Sequence, residues 1–323
     1  PGNFTEMVGQ QHVLQALVNA LESGRLHHAY LFTGTRGVGK TTVARILAKY
    51  LNCDCGVTAT PCGECGACAE IAEGRSVDLI EVDAASKTKV EDTRELLENV
   101  QYTPTRARYK IYLIDEVHML SKQAFNGLLK TLEEPPPSLK FILATTEVRK
   151  IPVTILSRCQ RFDLKRVSIE EICKHLKKIS TKENGKISDE ALKLIAKTSE
   201  GSVRDSISLL DRALISQSIS RNEIIQEKDV RIMLGLADKS KIISLFKEVL
   251  TGNEKEALKC LTALIDNGLD AKNFLNDMLE VLYLFSRKIN LGPLDKDVSI
   301  SESEVQMVDQ YSKNIDMQDI ALF

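Results

Sequence analysis

One stretch, Gly34-Thr35-Arg36-Gly37-Val38-Gly39-Lys40-Thr41, leaves this chain few folds to choose from. It follows the apolar run Ala29-Tyr30-Leu31-Phe32 and precedes the amphipathic run Val43-Ala44-Arg45-Ile46-Leu47-Ala48. Strand, glycine-rich turn and helix in that order form the context in which a backbone loop cradles phosphate. Gly34, Gly37 and Gly39 let the chain turn where a β-carbon would clash. The backbone from Gly34 through Val38, Gly39 and Lys40 to Thr42 can then aim its amides inward, helped by the positive end of the helix dipole. Lys40 is expected to reach the β- and γ-phosphates of a bound nucleotide, and the Thr41 hydroxyl to ligate Mg²⁺.

The rest of the first half alternates strand and helix. Apolar positions from Gln10 to Glu22 make a helical stripe closed by Gly24. Val77–Val82, Lys110–Ile114, Phe141–Ala144 and Gln160–Leu164 read as strands after the first. Helices are expected from Lys89 to Gln101 and from Ser121 to Glu133, the second stopped by Pro135-Pro136-Pro137. This pattern implies a parallel sheet covered on both faces. After Arg166 the strands stop. Ser168 with Glu171 makes a capping box, and Ser188 and Ser202 are expected N-caps. We expect three domains: residues 1–166, an α/β nucleotide-binding domain; 167–236, a small helical domain; and 237–323, packed helices near 239–250, 253–267, 270–288 and 301–313.

Asp115 and Glu116 end a buried strand, where ligands bind in open parallel sheets. Downstream of an intact phosphate loop, Asp115 is expected to help hold Mg²⁺ and Glu116 to polarise the attacking water. Thr145 or Thr146, at the next strand end, can hydrogen-bond that water or the γ-phosphate. His118 reads as structural. Arg158, in Leu156-Ser157-Arg158-Cys159, and Arg204, in Gly201-Ser202-Val203-Arg204-Asp205, stand apart. A cation in the first turn of a helix opposes the dipole by a few tenths of a kcal/mol, which a nearby phosphate would reverse. Spacing alone slightly favours a solvated surface arginine at each position over a phosphate ligand.

Of the 8 cysteines, five fall between Cys53 and Cys68. Cys53, Cys62, Cys65 and Cys68 have the spacing C-x8-C-x2-C-x2-C, suited to one tetrahedral structural Zn²⁺. Cys55 competes with Cys53 as first ligand. Such clustering is unlike a secreted disulfide scaffold, and a reducing cytoplasm fits better. No apolar run is long enough to span a membrane. The net charge of -2 excludes a uniformly basic nucleic-acid coat, so DNA contact needs a local patch.

Val8-Gly9-Gln10, the phosphate loop, the four-cysteine insert, Asp83-Ala84-Ala85-Ser86, LIDEVHML from Leu113, LLKTLEEPP from Leu128, ILSRC from Ile155 and GSVRD from Gly201 occur together. In that combination the chain resembles the tau/gamma ATPase subunits of bacterial DNA polymerase III clamp loaders, within the AAA+ superfamily. The resemblance implies ATP as nucleotide and sliding-clamp loading onto primer-template DNA within a hetero-pentamer of loader subunits. It implies that Arg158 is an arginine finger acting on ATP held by a neighbouring subunit. Arg204 would be the sensor 2 residue of a helical lid, Thr145-Thr146 would cover sensor 1, and Val8 to Gln10 would flank adenine. Lys87, Thr88 and Arg94 would face a central channel and touch DNA phosphates, and the last domain would be the collar that joins subunits.

The chain starts at Pro1 rather than Met and ends at Phe323, so residues on either side are expected, including the rest of the collar. A helicase or other AAA+ motor fits less well, for want of its pore-loop signature. A non-hydrolysing loader scaffold fits less well too, because Lys40, Thr41, Asp115 and Glu116 are all in place.

Overall fold

The computed structural model describes residues 2–86, 103–220, 224–235, 239–266, 270–292 and 302–312. The expected helix at Lys89–Gln101 lies outside the described residues. Two compact units divide the chain: residues up to Asn184 with Ile195–Asp211, and Gly185–Leu194 with the residues from Arg212 onward.

The first unit is built on five parallel strands: β1 (Ala29–Thr33), β2 (Leu79–Asp83), β3 (Lys110–Asp115), β4 (Leu139–Thr145) and β5 (Gln160–Asp163). Their order is β2-β3-β4-β1-β5. Burial follows that order. The inner strands β3, β4 and β1 are buried almost throughout and read as near-continuous apolar runs, as parallel strands covered on both faces must. The edge strands β2 and β5 are partly exposed and mix in charge.

Side chains that alternate along the strands serve two cores. Tyr30, Phe32, Ile111, Leu113 and Ile142 pack with α1 (Gln11–Glu22), α2 (Lys40–Asn52) and α3 (Gly66–Ala72). Leu31, Tyr112, Ile114, Phe141 and Leu143 pack on the opposite face with α4 (Lys122–Glu133) and Ile155 of α5 (Val153–Leu156). The polar strand ends Thr33, Asp83, Asp115, Thr145 and Asp163 gather on one edge, with Thr33 in register with Thr145 and Asp83 with Asp115. Ser121 caps α4 by accepting from the Ala124 amide.

Helix α6 (Ile169–Lys182) opens with the Ser168–Glu171 capping box. The chain continues through α7 (Asp189–Thr198), α8 (Val203–Ser220) and α9 (Glu227–Met233). Ser188 and Ser202 accept from the Ala191 and Asp205 amides, each at 3.2 Å, and so cap α7 and α8. In the second unit α10 (Lys239–Leu250), α11 (Glu254–Asp266), α12 (Ala271–Leu291) and α13 (Glu302–Tyr311) enclose Ile242, Phe246, Leu264, Val281, Phe285 and Val308. These bounds follow the sequence periodicity to within a few residues.

The second strand starts two residues later than its apolar pattern implied, at Leu79, and the Asp78 just before it binds the segment that leads into β3. Its buried carboxylate accepts from the amides of Thr105, Arg106 and Ala107 at 2.7–2.8 Å and lies 3.3 Å from Lys110 Nζ. Burial pushes the Asp78 carboxyl up, but those three amides and the ammonium outweigh it and hold the group at about 2. The stability this group contributes is therefore full above its ordinary pKa of 3.8 and is lost as pH falls toward 2. We expect Asp78→Ala to flatten the acid limb of a pH–stability profile. It should also lower stability at neutral pH by about 3–5 kcal/mol, since Lys110 stays buried without its carboxylate; urea unfolding from pH 2 to 7 measures both.

Candidate functional site

The turn between β1 and α2 depends on two glycines lacking a side chain. A Cβ on Gly34, at φ 143, would stand 2.6 Å from the Leu164 carbonyl oxygen. A Cβ on Gly37, at φ 79, would collide with the Ser202 hydroxyl oxygen. In its absence the Gly37 carbonyl reaches the start of α8 and accepts from the amides of Val203 (3.0 Å) and Arg204 (3.4 Å). Two of the unpaired N–H groups that open any helix are thus satisfied by the loop itself. Arg204 is brought to the loop by the same contact.

Lys40 is 6% exposed. Its Nζ donates to the Gly34 and Thr35 carbonyls, each at 3.0 Å. Burial pulls the Lys40 pKa below the usual lysine value, against Glu116 and Asp115, which favour its charge. Thr41 Oγ1 donates to Asp115 Oδ2 at 2.7 Å, and Asp115 Oδ1 accepts from the Glu116 amide at 2.9 Å. Glu116 sits at φ 48, a left-handed conformation that costs a non-glycine residue about 1 kcal/mol or more and clusters at functional sites. Its Oε2 accepts from Thr146 Oγ1 at 3.0 Å and from the Thr146 amide at 3.3 Å.

These groups surround one cavity of about 620 Å³. Val8, Gly37, Val38, Gly39, Lys40, Thr41, Thr42, Asp115, Glu116 and Arg204 all line it. Gly34 and Thr146 adjoin it through Lys40 and Glu116. Met7, His175 and Ile207 also line it, Met7 beside Val8, His175 on α6 and Ile207 on α8 past Arg204. Gln10 is buried and braces this corner: its amide donates to the Lys165 carbonyl at 2.6 Å and accepts from the Lys165 N–H at 3.0 Å.

Arg158 lies elsewhere, just past α5. Its guanidinium donates to Glu133 Oε1 at 2.9 Å and to the Thr154 carbonyl at 2.8 Å, and it is not among the residues around the cavity. His118, read from sequence as structural, contacts both Glu116 and Thr145. Lys87, Thr88 and Arg94 lie outside the described residues.

The sulfurs of Cys53, Cys62, Cys65 and Cys68 all fall within 4.8 Å of one another. Bonds of about 2.3 Å to a tetrahedral zinc would set sulfur–sulfur edges at roughly 3.8 Å, and Cys53 and Cys62 Sγ stand 3.7 Å apart. The Cys65 and Cys68 amides donate to the sulfurs of Cys62 and Cys65, each at 3.4 Å. The amides of Cys65 and Glu64 hold the Cys62 thiol down at about 6, favouring the thiolate that binds metal. Cys55 is exposed and outside the foursome, so Cys53 is the first member. Donor type and spacing fit one tetrahedral divalent ion.

Comparison with known proteins bears on the whole chain. Residues 9–168 match the family model for the DNA polymerase III delta subunit. Residues 171–218 match that for the DNA polymerase III clamp loader subunit, ATPase lid domain, and 225–323 that for domain III of DNA polymerase III subunits gamma and tau. DNA polymerase III subunit tau of Escherichia coli K12 is 48% identical over 100% of this chain and 49% of its own length. DNA polymerase III subunit gamma of Buchnera aphidicola from Schizaphis graminum is 43% identical over 98% of this chain and 87% of its own. The chain thus spans about half the length of the tau relative and most of the gamma relative. A solved structure of the Thermotoga maritima RuvB Holliday junction branch migration motor has the same fold, with a TM-score of 0.55 at 21% identity, covering 96% of this chain and 97% of that one. Among the described residues no helix is long and apolar enough to cross a membrane.

Two alanine substitutions separate backbone strain from packing at the loop. Gly24→Ala, at φ 66 with open space around it, should cost about 1–2 kcal/mol from its backbone conformation alone. Gly37→Ala carries the same strain and also displaces Ser202, so its loss in urea unfolding should be clearly the larger. Equal losses would mean that the Ser202 contact is absent in solution.

Proposed function

This chain belongs to the gamma/tau family of DNA polymerase III subunits, and from that premise we propose that it is an ATP-hydrolysing clamp-loader subunit that drives sliding-clamp loading onto primer-template DNA. The observation that carries the proposal is the convergence on one cavity of the loop amides, Lys40, the Thr41–Asp115 pair, Glu116 and Arg204. Each supplies what phosphoryl transfer needs: a cradle, two cations, a metal-ligand pair and a base.

When ATP binds, Lys40 exchanges the Gly34 and Thr35 carbonyls for phosphate oxygens, a fuller match for its charge. Thr41 and Asp115 would hold Mg²⁺, which would offset the charge of the phosphates. Glu116 takes the proton of the attacking water, and Thr146 orients the same carboxylate. Arg204, carried by α8, closes on the nucleotide of its own chain, while Val8 flanks the base. Arg158 serves a different site, the γ-phosphate held by the adjoining subunit. A finger supplied in trans is worth about 10³–10⁵ in rate in GTPases, so assembly governs hydrolysis.

The chain then works in a hetero-pentamer of loader subunits with the clamp and DNA. Lys87, Thr88 and Arg94 contribute phosphate contacts, sequence-independent in character. Residues 1–166 act as the nucleotide domain, 167–236 as the lid and 237–323 as part of the collar. A cytoplasmic location suits thiols that must stay reduced. The four cysteines would hold a structural Zn²⁺, whose binding would contribute on the order of 10 kcal/mol toward ordering a segment with little core of its own.

Two measurements test this reading. ATP turnover should rise when clamp and primed DNA are added together to the assembled complex, and Arg158→Ala should abolish that rise while leaving ATP binding intact. Unchanged turnover in the variant would remove Arg158 from the mechanism. Metal analysis should return about one zinc per chain, and a folded but metal-free insert would falsify the zinc assignment.

A further inference from the structure

His118 lies two residues beyond Glu116, and its side chain is only 6% exposed. Its Nδ1 stands 2.9 Å from Thr145 Oγ1 and 3.4 Å from Glu116 Oε2. On the far side, Nε2 is 3.6 Å from Glu147 Oε1, itself paired with Lys150 at 2.9 Å. The Thr145 hydroxyl is braced in turn, since it accepts from the Glu147 amide at 3.0 Å. The ring is thus wedged between the carboxylate of Glu116 and the segment that ends β4.

The contacts on Glu116 converge on a single oxygen. Thr146 Oγ1, the Thr146 amide and His118 Nδ1 all face Oε2. A carboxylate bound only through Thr146 could still swing about its side-chain torsions. A donor on its second flank removes that freedom and leaves Oε1 to meet water. The ring also crosses from one strand end to the next, joining the residue after β3 to the residue that closes β4.

We propose that His118 is a positioning residue for Glu116: with its proton on Nδ1, shared between Thr145 Oγ1 and Glu116 Oε2, it fixes the carboxylate against the Thr145–Thr146 strand end. This rests on Glu116 being the general base. Misplacing a reacting group by about 1 Å can cost about 10²-fold in rate, so a bracing residue that touches neither nucleotide nor water still matters to turnover.

The test compares wild type, His118→Leu, His118→Phe, His118→Asn and Glu116→Gln, each as full-length protein in the assembled complex. Turnover of ATP, affinity for a non-hydrolysable ATP analogue and Tm are measured for each. Leu and Phe fill space without a donor, so kcat should fall about 10–100-fold with analogue affinity and Tm near wild type. Asn places an amide nitrogen close to where Nδ1 stands and should restore turnover to within a few-fold. Wild-type kcat in either apolar variant overturns the proposal. Loss in all three variants without rescue by Asn, or unfolding by both apolar side chains, assigns the ring a structural role and overturns it as well. If Glu116→Gln turns over like wild type, the reading of Glu116 as base fails first and the positioning role falls with it; if only Glu116→Gln is inactive, the base stands and His118 does not position it.

Discussion

The cavity depends on one glycine carbonyl. The Gly37 carbonyl accepts the first two amides of α8. Each such bond contributes on the order of 1 kcal/mol, and an unmet buried amide would cost more. The residue that must lack a side chain for the loop to close is therefore also the one that seats the helix bearing Arg204. Arg204 alone is a poor choice for a first helical turn, since the dipole disfavours a cation there. Placed against a cradle built for anions, the same cation becomes an asset. A filled phosphate site and a docked α8 support each other, which gives a physical route from nucleotide to lid.

The carboxyl edge of the sheet follows a second rule: acidic groups there are paired with hydroxyls. Thr41 donates to Asp115, Thr146 to Glu116 and Thr33 to Asp163. Asp83, in register with Asp115, accepts from the Ala85 amide at 2.9 Å. These hydrogen bonds fix the orientation of each carboxylate at the sheet edge. Lys40 sits among them with its pKa drawn down by burial, yet with Glu116 and Asp115 nearby to favour its charge. The result is a site poised for a polyanion and a divalent cation together, with its charges oriented before either arrives.

How much of this was legible in the sequence follows from how local each signal is. The phosphate loop, the Ser168–Glu171 capping box and the buried strands are set by neighbours a few residues apart, and the structure holds them within a residue or two. The four-cysteine spacing was legible for the same reason, while the choice of Cys53 over Cys55 needed the fold, because both lie an acceptable distance from Cys62 along the chain. His175 and Ile207 carry no local signal, since they reach the cavity only once α6 and α8 have packed, and Met7 lies just outside the Val8-Gly9-Gln10 motif. His118 reads as structural from sequence, and its contacts with Thr145 and Glu116 come from the fold. As a lone histidine after a strand it carries no signal, and its meaning comes from Thr145 and Glu147, which lie 27 and 29 residues further along the chain.

In the proposed mechanism Arg158 is a finger for a neighbouring subunit, and in its own chain it sits apart from the cavity. Its partner here is Glu133, with the arginine side chain 34% and the glutamate 53% exposed. Exposed pairs of this kind contribute roughly 0–1 kcal/mol, because water competes for both ions. A finger that must serve a neighbouring molecule needs a resting place that orders it without trapping it. A buried partner would hold it too well, and full solvation would cost conformational entropy when it engaged. A weak surface pair, seconded by the Thr154 carbonyl, lies between these limits. The exchange of Glu133 for a phosphate then involves small terms on one side and a desolvated, multiply charged acceptor on the other. Assembly can therefore set the direction of the exchange without any large rearrangement inside the subunit.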